Sequence, residues 1–237
     1  MSDWTQGPLG RLVVAAEAQL LATAMDDIFG LELLQLGRWG AERELLRSSR
    51  TRHQSVIATS AVGAGADLLA NPARLPICTG SVDAILLPHC LEIEADPQAV
   101  LREADRVLVG QGHLVLLGFR PCSLWGLRAA ASRSGFPPGI NRFIGERRMR
   151  EWLGVLGYEI CAARHYLYFA PRDARAAALG AAEGRSAASL LRRGLFNPQP
   201  AGAYLLKARK RTYTFTPLRT RRRERSSLLG AVPTPTT

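Results

Sequence analysis

His89 and Cys90 follow a short apolar run at residues 82–87 that Gly80 and Pro88 bound. An imidazole in such a place could act as a base near neutral pH. A structural loop histidine is the plain alternative. Asp83, in the same run, reads as a turn or edge acid, and Asp105-Arg106 as a local ion pair worth little by itself. Cys78, Cys90, Cys122 and Cys161 are irregularly spaced, with no C-x-x-C pair and no histidine at ligand spacing. They read as small buried thiols, with no metal site. Trp125, Phe136, Phe143 and Trp152 could roof a substrate pocket, although helix-face core fits Trp152 better. Residues 135–139, with Pro137-Pro138, read as a loop over the sheet end and a candidate substrate-side lid.

These residues need a scaffold, and the chain has the material for one. Its 237 residues are 47% hydrophobic, enough for one sizeable domain or two small ones. The ordinary mixed composition excludes wholly disordered, collagen-like and coiled-coil chains. No stretch reaches the roughly 18 uninterrupted apolar residues of a membrane span. The best candidate, residues 12–25, is broken by Glu17 and Gln19. The basic start and compact apolar run of a signal peptide are missing, so a cytoplasmic protein is expected.

The net charge of +11 is uneven. Nine basic residues from Lys207 to Arg225, against Glu224 alone, carry +8 of it. Residues 216–237 read as a flexible basic tail. It could touch nucleic acid or an anionic surface through counterion release, or simply aid solubility.

Alternating elements position the candidates. Residues 11–29 are helix-like, with Leu12, Ala16, Leu20 and Ala24 on one face and Gly30 as the closing cap. Strands follow at 31–36 and 53–59, separated by helix formers at 41–50, and a brief third strand lies within 67–70. Strand 82–87, helix 97–108, a Gly110–Gly112 turn and strand 113–119 make a βαβ unit. Helices at 123–131 and 145–156 precede strands at 158–169 and 203–208, with a helical or mobile insertion at 174–193. The pattern argues for an α/β fold: an open, mostly parallel sheet with helices on both faces. In such sheets ligands sit at the carboxyl ends of strands near the switch point.

One chain of motifs is distinctive. Leu75-Pro76 is followed by residues 80–86 (GSVDAIL), Asp96-Pro97, residues 101–108 (LREADRVL) and residues 110–116 (GQGHLVL). Gly118-Phe119-Arg120-Pro121, Ser123, Gly126-Leu127-Arg128, Trp152-Leu153 and Gly157-Tyr158-Glu159 continue it. In these residues the chain resembles the class I S-adenosyl-L-methionine-dependent methyltransferases, specifically a bacterial branch of the methyltransferase type 11 group, over roughly residues 30–210. The resemblance implies a Rossmann-like, seven-stranded sheet with its last strand antiparallel. It implies a helical segment at 1–30, a methyltransferase-like domain at 31–215 and the tail at 216–237.

It also implies S-adenosyl-L-methionine as cofactor, an unidentified methyl acceptor, and cofactor contacts at Gln35, Gly37, Arg38, Gly40, Asn71, Pro72 and His89. A glycine turn after the first strand would let backbone approach the ligand, and Asn71 would read the adenine edge. The chain departs from the family at the first two motifs. Gln35 replaces an acid, Trp39 falls on the central glycine, and Ala58-Thr59-Ser60 holds no carboxylate for the ribose. Two readings therefore stand: an active methyltransferase, and a catalytically silent binding or scaffold protein on the same fold. A nucleotide-dependent oxidoreductase is set aside, since no G-x-G-x-x-G is present.

Overall fold

A computed structural model describes residues 2–41, 43–59, 65–133, 135–168, 171 and 200–212. The insertion expected at 174–193 and the tail at 216–237 lie outside the described residues.

The helices form where capping and periodicity agree. Helix α1 spans Ser2–Gln6 and α2 spans Pro8–Ala24, with Pro8 in the first turn, where its missing N–H costs nothing. Gly10 seats the pair, since a Cβ there would lie 2.1 Å from the Trp4 carbonyl oxygen. The buried face of α2 is Val13, Val14, Ala16, Glu17 and Leu21, not the Leu12 stripe expected from sequence. The helix also stops earlier than expected, at a Met25 cap, and Gly30 belongs to the first strand.

Strand β1 is Phe29–Leu36, followed by a short 3-10 turn at Glu44–Leu46, then β2 (Arg50–Ala58), β3 (Leu68–Leu69) and β4 (Val82–Pro88). Helix α3 is Cys90–Ile93. Helix α4 is Pro97–Val107, where the Asp96 side chain accepts from the Ala99 N–H and Val100, Leu101, Ala104 and Val107 are buried. Next come β5 (Leu108–Phe119), α5 (Leu124–Ala131), α6 (Glu146–Val155), β6 (Tyr158–Tyr166) and β7 (Ala203–Lys210). The expected turn at Gly110–Gly112 is instead the irregular start of β5, where its pairing with β4 shifts register beside Gln111 at φ +71°.

The seven strands lie in the order β3-β2-β1-β4-β5-β7-β6. β1 pairs in parallel with β2 and β4, β2 with β3, and β4 with β5, while β7 runs antiparallel to both β5 and β6. The order reverses between β1 and β4, which makes the carboxyl ends of those strands the switch point. Two cores flank the sheet. One holds Leu34, Leu36, Ile85 and Leu87 under α4 and α6, and the other holds Leu33, Ala84, Leu86, Val115 and Leu117 under α2 and α5. The short β2–β3 connection carries no helix among the described residues. A hollow of about 430 Å³ lies beside it, lined by Leu34, Ile57, Leu68, Ile77 and Val82 among others.

Several single-residue expectations change. Only Cys90 is buried, and Cys78, Cys122 and Cys161 are exposed. Arg106 pairs with Glu103 at 2.7 Å and donates to the carbonyls of Leu75 and Ile77, whereas Asp105 forms its ion pair with Lys210 at 3.1 Å. Asp83 Oδ2 accepts from the N–H groups of Leu31 and Glu32, so this acid ties β4 to β1. Part of the basic stretch is structural. Lys207 pairs with Asp27, and Arg211 Nε with Glu159 at 2.8 Å, so β7 and its end absorb charge that composition alone assigned to partners.

Candidate active site

The switch point is lined by residues that leave β1 and β4 together. Gln35 and Leu36 pair in register with Val56 and Ile57 on β2, and the Gly37 N–H donates to the Ile57 carbonyl. The chain then turns at Gly37 (φ +90°) and Gly40 (φ +78°), a left-handed geometry that favours glycine. A Cβ on Gly40 would lie 2.7 Å from Val14 Cγ1, so this turn is pressed against α2. Gln35 is buried, and its Nε2 donates back to the Gly37 carbonyl. Its Oε1 is buried without a hydrogen-bond partner among the described residues.

Across the crevice, His89 N–H donates to the Leu117 carbonyl and the residue adopts φ +55° before α3. It is no plain loop histidine. The ring is fully buried, with Nδ1 2.8 Å from Glu92 Oε2 and Nε2 2.9 Å from Glu17 Oε1. Glu17 comes from α2 and also accepts from Trp39 Nε1 at 2.5 Å and Tyr166 Oη at 2.9 Å. Glu92 Oε1 accepts the N–H of Phe119 at 2.8 Å and of Ile144 at 3.3 Å. Burial by itself lowers the histidine's pKa, but the charge and hydrogen bond of Glu17, with those of Glu92, outweigh it and raise it to about 9. Burial raises Glu92 against the opposing pull of His89, and burial, then the Glu17 charge, raises Tyr166. Burial also pushes the Cys90 thiol up, leaving it an unreactive neighbour.

Aromatic rings close the crevice. Trp39 is 3% exposed, and its indole centroid lies 4.3 Å from the His89 ring. Phe119 stacks on the imidazole at 4.2 Å and 26°, with its own ring 6.2 Å from that of Trp39. Trp4 of α1 lies 5.7 Å from Trp39 and 6.2 Å from Phe136. Of the four aromatics picked out from sequence, Trp125, Phe136 and Phe143 join this cluster, while Trp152 packs on the other face beside Leu153. The candidate lid thus places Phe136 on the aromatic cluster, 5.6 Å from Trp125. Open space lies farther along the sheet, where a cavity of about 600 Å³ runs between residues 120–122 and the start of α6.

The seven residues expected to contact cofactor do not form one surface. Gln35 and Gly37 stand beside the His89-Cys90 end of β4, Arg38 is half-buried in the same turn, and Gly40 lies against Val14 of α2. Asn71 is exposed at the far side, its Oδ1 accepting the Ala73 N–H in a local turn, and Pro72 is buried beside it. The glycine turn suits a close backbone approach. The side chains as they stand do not fit the methionine end of S-adenosyl-L-methionine, because Trp39 and His89 fill the space between the turn and β4, and a Cβ on Gly37 would lie 3.5 Å from that of Cys90. Sequence reasoning missed Glu17, Glu92 and Tyr166. The first two left signals: Glu17 stands four residues from both Val13 and Leu21 on an apolar helix face, and Glu92 follows His89 by three.

Comparison with known proteins places the fold. A family described as a methyltransferase domain matches residues 42–116. The chain is 34% identical over 165 residues to the uncharacterized protein YafS of Escherichia coli (strain K12), covering 69% of this chain and 67% of that one. It is similar to the crystal structure of an S-adenosylmethionine-dependent methyltransferase, a possible histamine N-methyltransferase, from Thermotoga maritima, with a TM-score of 0.63, 15% identity, and 88% and 94% of the two chains covered. It is also similar to the [4+2]-cyclase SpnF, with a TM-score of 0.56, 21% identity, and 83% and 80% covered. A cyclase among these similar structures illustrates that fold alone does not fix the reaction. No helix among the described residues is long and apolar enough to cross a membrane, and no metal-binding cluster occurs among them. The strand order, the matched domain and the relationship to YafS together make the chain a member of the class I methyltransferases of the type 11 group, whose cofactor is S-adenosyl-L-methionine.

Proposed function

We propose that this protein is an S-adenosyl-L-methionine-dependent methyltransferase of the cytoplasm, acting on an acceptor still to be identified. The observation that carries the reading is the buried Glu17–His89–Glu92 array at the switch point. Two carboxylates and an imidazole are costly to bury, and well-packed apolar residues are often as stable in their place. Titratable groups shifted by burial and by named charge partners cluster at functional sites. This array also stands where an open α/β sheet binds its ligand. The roughly 600 Å³ cavity at the carboxyl end of β5 is the acceptor side of the same reading, with Arg120, Arg147 and Arg150 among its lining.

A second reading has its own support in Trp39. Its indole occupies the crevice and its N–H is spent on Glu17, as in a protein that keeps the fold and has given up the reaction. In that case residues 216–237 become the working end, holding nucleic acid or another anionic surface.

Calorimetric titration with S-adenosyl-L-methionine and its demethylated product separates the two. Measurable heat for both ligands supports the enzyme, and silence at millimolar ligand removes it. RNA retention that falls with salt, and falls further once residues 216–237 are deleted, supports the binding role. Equal retention by both forms dismisses it.

A further inference from the structure

Charge is uneven within the domain as well as at its end. Residues 120–151 hold seven arginines against Glu146 and Glu151 alone, a net +5, which with the +8 of residues 207–225 leaves −2 for the rest of the chain. This basic segment runs from the carboxyl end of β5 to α6 and frames the cavity of about 600 Å³. Two of its arginines hold the protein together: Arg128 lies over the Phe136 ring at 4.4 Å, and Arg142 donates to the Glu94 carbonyl. Three others, Arg120, Arg147 and Arg150, line the cavity. Arg147 uses only Nε, on Glu151 at 3.1 Å, and Arg150 uses Nε and Nη2, on Glu146 Oε1 at 2.9 and 2.7 Å, among the described residues. A guanidinium has five N–H donors, so both keep some in hand. Arg120 keeps all of its own among the described residues. Its backbone is pinned, with the N–H on the Gly202 carbonyl and the Ser123 hydroxyl on its carbonyl, while its guanidinium meets no carboxylate. The two acids do not cancel this lining, because Glu146 is shared between Arg150 and His165, 2.6 Å away, and Glu151 is held by Arg147. Helix α6 opens onto the same cavity at Gly145 with no side-chain cap, and its positive end adds to the field.

We propose that this cavity binds an oxyanion, a carboxylate or a phosphate, carried by a small molecule, with Arg120 as the main clamp and Arg147 and Arg150 at its rim. Planar guanidinium forks match both groups. The volume lies within the range of about 300–1,000 Å³ that takes a small ligand. A nucleic-acid strand would call for aromatic faces to stack its bases, and the lining holds none among the described residues. The role of the bound molecule rests on the methyltransferase reading: there it is the methyl acceptor, and the enzyme acts on an anionic substrate. The site itself does not depend on that reading.

Cys122 lines the cavity and reports on it, whereas the exposed Cys78 and Cys161 lie outside that lining and Cys90 is buried. The full chain is alkylated with iodoacetamide, a neutral reagent, and labelling at each cysteine is followed by peptide mass spectrometry. Methyl phosphate and propionate are the probes, each set against potassium chloride at equal ionic strength so that screening alone is matched. A probe that binds should slow labelling of Cys122 and leave Cys78 and Cys161 unchanged. Slowing by methyl phosphate alone identifies a phosphate site, by propionate alone a carboxylate site, and by both a site for either group. Arg120→Gln should raise the concentration needed for half-protection about tenfold, as expected for one charge-assisted hydrogen-bonded contact. Cys90 left unlabelled shows that the variant is folded. If it is labelled, Arg147→Gln, at an almost fully exposed helix position, is read in the same way. No slowing of Cys122 beyond the chloride control, or undiminished protection in the folded variant, overturns the proposal. Titration with S-adenosyl-L-methionine keeps the two claims apart. Protection without cofactor heat retains the anion site and removes the methyltransferase reading, and cofactor heat without protection does the reverse.

Discussion

Raising the pH should loosen this protein through one residue. His89 moves from its ordinary 6.5 to about 9 on folding, against the burial that would lower it. A folded-state pKa above the unfolded one gives stability that is fully present below about pH 6.5 and lost as pH rises through about 9. At about 1.4 kcal/mol per unit, the difference is on the order of 3 kcal/mol, a sizeable share of a marginal fold. The structural cause is plain: a neutral imidazole has one N–H, so either Glu17 or Glu92 is left facing a lone pair in a dry site. Urea unfolding followed by tryptophan fluorescence, at half-unit steps from pH 6 to pH 9.5, measures it. The midpoint should fall steadily across that window in wild type, while His89→Gln should start lower and stay level. A wild-type midpoint that holds constant, or the same decline in both proteins, would refute the account of the buried array.

Two substitutions test the crevice and its seat. Trp39→Gly removes a nearly fully buried indole that bonds Glu17, and should cost about 3–5 kcal/mol by urea unfolding. Titration should show S-adenosyl-L-methionine binding this variant at least as tightly as wild type, and weaker binding would mean that the indole supports the ligand instead of blocking it. Gly40→Ala places a side chain at φ +78° and 2.7 Å from Val14, and should lower stability by about 2 kcal/mol. An unchanged unfolding midpoint would show that the turn after β1 is not pressed against α2.

Much of the scaffold was legible in the chain because its signals are local. Asp96-Pro97 followed by apolar residues at helical spacing marked α4, and Gly80 with Pro88 bounded β4 within a residue. Other features were not local. The buried face of α2 could not be chosen from sequence because two apolar stripes compete on it, and only contact with the sheet selects the one carrying Glu17. His89 read equally as a base, a cofactor contact or a loop residue because its partners lie 72 and 3 positions away, and the distant one is decisive. Three cysteines were expected to be buried and are not, since burial depends on what packs over a strand or turn.

What the sequence determined by itself is the order of strands and helices, the family likeness in residues 75–128, and the departures at Gln35 and Trp39. Capping, periodicity and motif spacing act over a few residues and survive without a fold. Only the tertiary structure decided what those departures do. It folded Gln35 back on its own turn, laid Trp39 against His89, and brought Glu17, Glu92 and Tyr166 from three distant elements into one dry site. The reason is physical: the energy of a buried charge depends on which groups surround it, and that shell is assembled from the whole chain at once.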